Sequence, residues 1–493
     1  MSVQPNPYDA VAYPTHPFAH THPSNLAAMA ILHGLEPAPV ERCRVLEVAC
    51  NEGSNLIPMA YAIPGSEFVG FDLAGSPIER GQERIRELGL KNIRLFQADL
   101  LDVGAELGQF DYIIAHGLYA WAPAPVRDKL LALCGDILTP NGVAFISYNA
   151  LPGGSIRKLI REFMVDRVGG ENLDAQLADS LRLLKSLIEV RPEGDAFRVL
   201  VEEQLKRLRE RSPRLIFHDE LSEAYYPLSF SEFVAHARSH GLQYLTEAVL
   251  PKANDPCYRA DLRAALEKEA PGDFLKQEQM LDYARMRFYR ETLLCRSGLQ
   301  LLRDYAPAHF RRLMFASPAE VAPGEASGAL AFSLPDGIRM ETNHPAVCAL
   351  LSHLQEAWPR ALKWDEIEPV LAPAGFALNA EGVALLMRLA VTTLLELQAW
   401  RAPVAAEVSV RPRASACSRM EARTQAQATT LLHSVVQLED AQSRRFMQLL
   451  DGKRDRRELL AAMQVEFPEM GGDLETTIDP ILAFFYRAGF LEA

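Results

Sequence analysis

Two short segments constrain the fold of this chain more than any other feature. Residues 45–55 run from an apolar stretch into a polar loop containing Gly53, and residues 68–72 form a second apolar stretch that ends in Asp72. The distance from Gly53 to Asp72 is close to the ~20 residues that separate a nucleotide-binding loop from its ribose-binding acid. The pair predicts two strands of a parallel sheet and a site for an adenosine-containing cofactor.

Composition narrows the class of protein. The chain has 493 residues, 48% of them hydrophobic, and a formal net charge of −13, which predicts two to four globular domains and disfavours nucleic acid or an anionic membrane as partner. The 7 cysteines contain no C-x-x-C pair, and the N-terminus has no signal pattern. We therefore expect a cytoplasmic protein with reduced thiols, no membrane span and no metal site, since His16, His20 and His22 are unevenly spaced and have no acid or cysteine partner.

Alternation of strands and helices predicts the fold class. Strands are expected at 44–48, 67–71, 93–97, 110–115 and 142–148, with helices at 25–34, 56–63, 78–88 and 126–138. Strands separated by helices predict an α/β fold with a Rossmann-like sheet, followed by mainly helical domains. The expected division is an arm over the cofactor site at 1–40, a cofactor-binding domain at 41–154, a helical regulatory or dimerisation domain at 155–320, a middle helical domain at 329–405 and a winged-helix-like domain at 418–493. Linkers are expected at 318–328 and 402–417.

The loop after the first strand selects the cofactor. A dinucleotide requires a G-x-G-x-x-G loop, of which only Gly53 is present, and Glu52 would oppose a pyrophosphate. A phosphate-binding P-loop is absent from the sequence. S-adenosylmethionine (SAM) has no phosphate and carries positive groups, so it tolerates these acids.

Three acids at successive strand ends fit SAM. Glu47 is expected to support the loop and face the methionyl end, Asp72 to accept from the ribose hydroxyls, and Asp99 or its backbone to read the adenine amine. The full predicted cofactor set is Tyr13, His22, Glu47, Ala49, Cys50, Gly53, Asn55, Asp72, Leu73, Ala98, Asp99, Leu100 and His116.

The segment from Phe110 to Pro123 resembles F-D-Y-I-I-A-H-G-V-Y-S-W-V-P of bacterial class I methyltransferases with a methyltransferase regulatory domain. Similar likenesses occur near Tyr13, at 55–60, 217–221, 233–237, 289–295, 358–362 and 449–452, so the resemblance spans nearly the whole chain. The family includes lysine methyltransferases of bacterial surface proteins. The resemblance therefore implies SAM as cofactor, a protein substrate such as a surface protein before export, and a homodimer.

Two segments depart from the family pattern. The cofactor loop has Ala49 and Asn51 where the family has Gly and Ala, although Asn enters the left-handed region more easily than most residues. After the fifth strand, Leu151, Gly154 and Ser155 replace an aromatic, an aromatic and a histidine of the family. The second departure leaves the methyl acceptor open.

The chemistry of lysine methylation suggests the catalytic residues. A lysine with a pKa near 10.4 must become neutral before it attacks, which costs about 4.6 kcal/mol at pH 7, and an aromatic channel lowers this cost by desolvation. Two sets follow from the sequence: His116, Tyr119, Tyr148 and Asn149 as catalytic residues, and Tyr119, Trp121, Tyr148 and Pro152 as the substrate channel. Two alternatives stay open: methylation of a small molecule, and a non-catalytic SAM-binding regulator.

Overall fold

A seven-stranded sheet organises the first 300 residues of the computed structural model, which describes residues 13–167, 173–222, 224–250, 260–468 and 474–493. The strand order is β3-β2-β1-β4-β5-β7-β6. The strands are β1 (Arg44–Val48), β2 (Glu67–Asp72), β3 (Ile93–Gln97), β4 (Phe110–Ala115), β5 (Leu138–Asn149), β6 (Leu242–Glu247) and β7 (Tyr289–Arg296). Strands β1 to β5 are parallel, whereas β7 runs antiparallel to both β5 and β6. The α/β, Rossmann-like prediction is confirmed.

Helices cover both faces of the parallel strands, which is why those strands are nearly continuous apolar runs. The helices are Pro23–Leu32, Leu56–Ala62, Gly75–Leu88 and Ala124–Ile137. The helix before β3 ends because Gly89 takes a left-handed conformation with φ 68°, the common way to close a helix. The four helices predicted from the sequence are present, and none of their ends is shifted by more than three residues.

The segment predicted as mainly helical, 155–320, is more varied. The helices Gly153–Arg167, Leu173–Glu189, Ala196–Arg209 and Pro213–Glu220 form a helical subdomain with its own core, and Phe230–Ser239, Ala260–Glu269 and Phe274–Arg285 follow. Two further strands from this segment, β6 and β7, complete the main sheet. The pattern hid β7 because it buries Arg290, Glu291 and Thr292, which read as a solvated surface.

The middle region packs against the main sheet instead of standing apart. It contains helices Pro307–Phe310, Pro345–Ala357, Trp364–Leu371 and Ala380–Val391, and strands β8 (Met314–Ala316), β9 (Glu320–Pro323), β10 (Leu330–Ser333), β11 (Arg339–Thr342), β12 (Leu362–Lys363) and β13 (Glu396–Gln398). One hydrophobic cluster joins Leu26, Val45, Phe145, Phe315 and Leu350. The linker expected at 318–328 is wrong in part, because β9 lies within it and pairs with β10.

The C-terminal region also has its own hydrophobic core. Its elements are helices Ala416–Glu421, Ala441–Leu449, Arg456–Glu466 and Asp479–Arg487, with strands β14 (Gln427–Thr429) and β15 (Val435–Gln437). The 402–417 crossing is tied to this region by bridges such as Ala414 to Leu491. Within the described ranges, no helix is both long and apolar enough to cross a bilayer.

Candidate active site

The loop after β1 holds three residues in the left-handed region: Ala49 at φ 59°, Asn51 at 49° and Gly53 at 71°. Asn51 and Gly53 are suited to this region, but Ala49 is not, since its Cβ costs roughly 1–2 kcal/mol there. A Cβ at Gly53 would lie 2.6 Å from the Leu95 side chain. The loop therefore turns tightly because three of its residues have positive φ, and the backbone is strained at Ala49.

Asp72, at the end of β2, ties the two predicted halves of the cofactor site together. One carboxylate oxygen accepts from the Asn51 amide at 2.8 Å, and the other accepts from the Ala74 amide at 2.9 Å. Each carboxylate oxygen can accept more than one hydrogen bond. Asp72 is therefore fixed beside the loop by two backbone amides.

Glu47 is the most perturbed acid of the site. It is 5% exposed, and its Oε1 accepts from Asn55 Nδ2 at 2.9 Å. Burial raises its pKa to about 8. Its Oε2 is buried and, among the described residues, has no hydrogen-bond partner. A buried acceptor without a partner is costly, so this atom fits a ligand that brings its own donor, such as an ammonium group.

Asn55 connects this acid to distant parts of the chain. Its Oδ1 accepts from the Phe18 amide at 3.0 Å and lies 2.9 Å from His433 Nε2. Its Nδ2 donates to Thr21 at 3.0 Å as well as to Glu47. The arm and the C-terminal region thus both reach the cofactor loop through one amide side chain.

A second link to the C-terminal region runs through Arg84. Its guanidinium donates to Glu52 at 3.3 Å, to Ser54 at 3.1 Å and to Glu421 at 3.1 Å. Glu52, which is unfavourable for a pyrophosphate, is thereby paired within the protein. The loop sequence that excludes dinucleotides is also what attaches the loop to residue 421.

The remaining strand-end residues line the same edge of the sheet. The Ala98 amide donates to the Asp72 carbonyl at 2.9 Å, Asp99 caps the following turn by accepting from Leu101 at 2.9 Å, and Leu100 and Cys50 are buried. Leu73 is 57% exposed. An exposed leucine beside Asp72 is suited to cover a flat aromatic ring.

His116, just after β4, lies in a cluster of rings. It stacks on Phe18 of the arm with ring centroids 4.0 Å apart, and on Phe145 of β5 at 5.8 Å. His20 and Tyr289 lie 5.8 and 6.4 Å from it. The imidazole nitrogens of His20 and His116 and a carboxylate oxygen of Glu291 all lie within 4.8 Å of one another. The sequence prediction of no metal site did not anticipate this set.

Three comparisons with known proteins bear on this geometry. Three family models match the chain. Residues 45–142 match the model described as "Methyltransferase domain", and residues 212–296 match "Predicted methyltransferase regulatory domain". Residues 411–471 match "PKMT, C-terminal winged helix domain". An uncharacterised protein of Rickettsia prowazekii (strain Madrid E), RP028, is 34% identical over 240 residues, covering 48% of this chain and 96% of that protein. The chain belongs to the methyltransferases that carry a methyltransferase regulatory domain. Its cofactor is SAM.

Two further comparisons define how far the likeness extends. Another uncharacterised protein of the same organism, RP789, is 34% identical over 303 residues, which cover 61% of this chain; the chain spans about half (54%) of that relative. The solved structure of PKMT2 from Rickettsia typhi in complex with AdoHcy has a TM-score of 0.85 at 22% identity, and covers 97% of this chain and 99% of that chain. The methyltransferase therefore shares the fold of PKMT2 over nearly its whole length.

Two residues predicted to line the substrate channel of this methyltransferase lie elsewhere. Tyr119 and Tyr148 are each 1% exposed in the core beside helix Phe230–Ser239. The Tyr119 hydroxyl lies 2.6 Å from His236 Nδ1, and Tyr148 stacks on Phe233. Burial raises the pKa of Tyr148 well above its usual range. Their side chains fill the opposite face of the sheet from His116, so neither belongs to the site proposed below.

The other predicted site residues separate into two groups. Asn149 is 4% exposed at the end of β5, on the His116 face. Away from this face, Trp121 packs against Tyr225, and Tyr13 donates to Asp219 at 3.3 Å. Both of these contacts are made with residues of the regulatory region. Pro152 is half-buried after β5.

His22 stabilises the structure of the N-terminal arm. It caps helix Pro23–Leu32 by accepting from the Ser24 amide at 3.1 Å, and its ring stacks on Trp400 and lies 5.1 Å from His433. Burial lowers its pKa to about 3. It is therefore neutral at physiological pH and supports the arm beneath Asn55.

The residues that sequence reasoning missed are Phe18, His20, Glu291 and His433. Each comes from a segment far along the chain from the cofactor loop, and only His20 was weighed, as a metal ligand. No local signal marked Glu291, because it stands between Arg290 and Thr292, ahead of the apolar residues 293–295.

Proposed function

We propose that this methyltransferase transfers methyl groups from SAM to lysine side chains of a protein substrate. The observation that carries the proposal is the shared architecture with PKMT2, which extends from the arm through the catalytic and regulatory regions to the C-terminal winged helix. A small-molecule methyltransferase has no evident need for the appended regions, whereas a protein substrate offers them a surface to contact.

The residues at the sheet edge fit SAM. Glu47 Oε2 would receive the ammonium of the methionyl end, Asp72 the ribose hydroxyls, and the Leu73 side chain together with residues 98–100 the adenine. SAM supplies an activated methyl on a good leaving group, so the protein mainly positions the acceptor and removes its proton. The Asn55 amide keeps the Glu47 carboxyl group oriented, and the arm residues Phe18 and Thr21 keep water away from the pair.

We also propose a cytoplasmic homodimer whose substrate is a surface protein before export. Of the 7 cysteines, the six that lie in the described ranges are free thiols, which supports a reducing compartment. Apolar side chains are exposed on the helical subdomain, among them Leu159, Val190, Val199 and Leu200. An apolar surface of this kind supports a contact between two copies.

The domain division at 1–40, 41–154, 155–320, 329–405 and 418–493 stays a proposal, and residues 1–12 of the arm lie outside the described residues.

The test combines SAM titration calorimetry with a methylation assay on candidate surface proteins, read by mass spectrometry of lysine-containing peptides. We expect SAM binding and added mass of one or more methyl groups on lysine. Absence of SAM binding would refute the proposal altogether. Methylation confined to a small molecule would refute the lysine assignment, and SAM binding without turnover on any acceptor would favour the regulatory alternative.

A further inference from the structure

We propose that Glu291, Asn149 and His20 form the acceptor site that binds the substrate lysine ammonium and takes its proton, so that the regulatory region supplies an acid to the active site. This inference rests on the proposed lysine methyltransferase function. It adds two residues, Glu291 and His20, from segments outside the catalytic domain.

Strand pairing places the polar groups together. Ser147 of β5 lies opposite Glu291 of β7, and Asn149 lies opposite Tyr289. Because side chains directly across an antiparallel ladder share a face, Phe145, Ser147 and Asn149 stand beside Tyr289 and Glu291 on one surface. Tyr148 points to the other face. The Ser147 hydroxyl accepts from the Gly117 amide at 2.8 Å, which fixes the loop carrying His116 against this ladder.

Two polar groups on this surface offer oxygen acceptors to a cation. Glu291 is 4% exposed, and its Oε1 lies 3.0 Å from His20 Nε2. Asn149 Oδ1 is buried and finds no hydrogen-bond partner in the described part of the chain. A lysine ammonium has three donors and no acceptor. It can therefore satisfy the Asn149 oxygen and pair with the Glu291 carboxylate at once.

Aromatic rings enclose the polar atoms. Phe18, His116, Phe145 and Tyr289 form one connected set, and the His20 ring lies 5.6 Å from Phe145. Aromatic faces attract organic cations, and an enclosed site strengthens that attraction by excluding water. The combination of a carboxylate, an amide oxygen and ring faces is what recognises an alkylammonium group.

The same cluster touches the cofactor loop through one residue. The Phe18 ring stacks on His116 while its backbone amide donates to Asn55, which in turn holds Glu47. Since β1, β4 and β5 are adjacent in the sheet, their carboxyl ends open on one edge. Residues 18–20 of the arm thus connect Glu291 to the cofactor loop, through His20 at 3.0 Å and through the Phe18 amide.

The proton and methyl steps balance as follows. The ammonium N–H bond breaks and its proton passes to the Glu291 carboxylate and on to His20, whose side chain is 25% exposed and can return it to solvent. The neutral amine then forms an N–C bond as the S–C bond of SAM breaks. The leaving group is an uncharged thioether, and the positive charge moves to the methylated amine.

A metal ion is the competing occupant, because His20, His116 and Glu291 provide two imidazoles and a carboxylate. The ring faces packed on both sides of His116 and the amide oxygen of Asn149 favour the organic cation, since soft nitrogen-binding metals have little use for an amide oxygen. Metal content is therefore measured as an outcome of the test.

The experiment needs no knowledge of the protein substrate. Sinefungin is a SAM analogue with an amine where SAM carries its reacting methyl sulfonium, so its ammonium points toward the acceptor site, whereas S-adenosylhomocysteine lacks that group. We expect Glu291→Gln and Asn149→Ala each to weaken sinefungin binding at least about tenfold and S-adenosylhomocysteine binding less than about twofold. Calorimetry measures both ligands on each full-length variant.

Controls separate the possible failures. His344→Ala and Glu320→Gln remove the same chemical groups from exposed positions before helix Pro345–Ala357 and on β9, and should change neither affinity. Equal sinefungin affinity in Glu291→Gln and the parent would overturn the acceptor site. Stoichiometric zinc that is lost in His20→Ala would overturn it in favour of a metal. Failure of the parent to bind either nucleoside would instead count against the proposed function.

Discussion

Replacement of Glu47 by Gln should make the ligand-free protein more stable while weakening SAM binding. The neutral amide keeps an oxygen for Asn55 Nδ2, which donates to Glu47 at 2.9 Å, but has no charge to desolvate. The carboxyl group has a pKa of about 8 in the folded protein against 4.5 as the ordinary value. Between these pH values the folded protein holds a proton that the unfolded chain releases. The free energy of unfolding therefore decreases as pH rises.

The size of the effect follows from the two pKa values. At 1.36 kcal/mol per pH unit, the raised pKa of Glu47 lowers the free energy of unfolding by about 3 kcal/mol at pH 7 and about 5 kcal/mol at pH 9. At pH 5 the loss is less than about 1 kcal/mol. Glu47→Gln removes this cost. Its melting temperature should therefore match that of the parent near pH 5 and exceed it increasingly up to pH 8.

Two measurements check this reasoning. Melting curves of ligand-free parent and variant at pH 5, 7 and 9 give the widening gap, taken from the first transition because a multidomain chain need not unfold in one step. Calorimetry at pH 7 in buffers of different ionisation enthalpy should show SAM binding releasing about one proton from the parent and less from the variant. A gap that stays constant with pH, or an unchanged SAM affinity in the variant, would refute the role of Glu47.

Four further substitutions test other parts of the site and fold. Asp72→Ala should weaken SAM binding at least about tenfold, and a change under twofold in calorimetry would contradict the ribose assignment. His433→Ala should weaken it about fivefold through Asn55, with partial recovery in His433→Gln. Ala49→Gly should relieve about 1 kcal/mol of loop strain and raise the melting temperature; a lower one would argue against strain. Arg290→Met should destabilise by about 3–5 kcal/mol in urea unfolding, because Arg290 is buried against Glu247 at 2.6 Å and Asp282 at 2.8 Å.

The central strands could be predicted from the sequence because parallel strands are buried on both faces and read as apolar runs. The bounds of β1, β3 and β4 agree with the prediction to the residue. Strands β6 and β7 were not predicted, because the partners that neutralise their charged side chains are distant in the sequence. Arg290 is neutralised by Glu247, Glu278 and Asp282, which lie on strand β6 and on helix Phe274–Arg285.

The acceptor side shows why a strand end is hard to assign from sequence. Tyr148 and Asn149 are neighbours, and both were predicted to be catalytic. Successive side chains of a strand point to opposite faces, so only one of them could reach the site. The choice depends on which face meets His116, and that is set by tertiary packing. The polar residue faces the cluster and the tyrosine fills the core.

The conformation of the cofactor loop could be predicted only in part from the sequence. The left-handed conformation of Asn51 was foreseen from its residue type. That of Ala49 was not, since alanine gives no sign of it. The contact between Asn55 and His433 spans 378 residues, and no local pattern could indicate a partner at that separation.

The amide of Asn55 has a consequence for how this enzyme matures. During synthesis the Rossmann-like strands leave the ribosome first, yet the cofactor loop lacks its support from His433 and Glu421 until those residues have also emerged. A nascent chain that has folded only its sheet would hold SAM weakly. Methyl transfer would then begin only after the C-terminal region has docked, so the order of synthesis itself would keep partly made chains inactive.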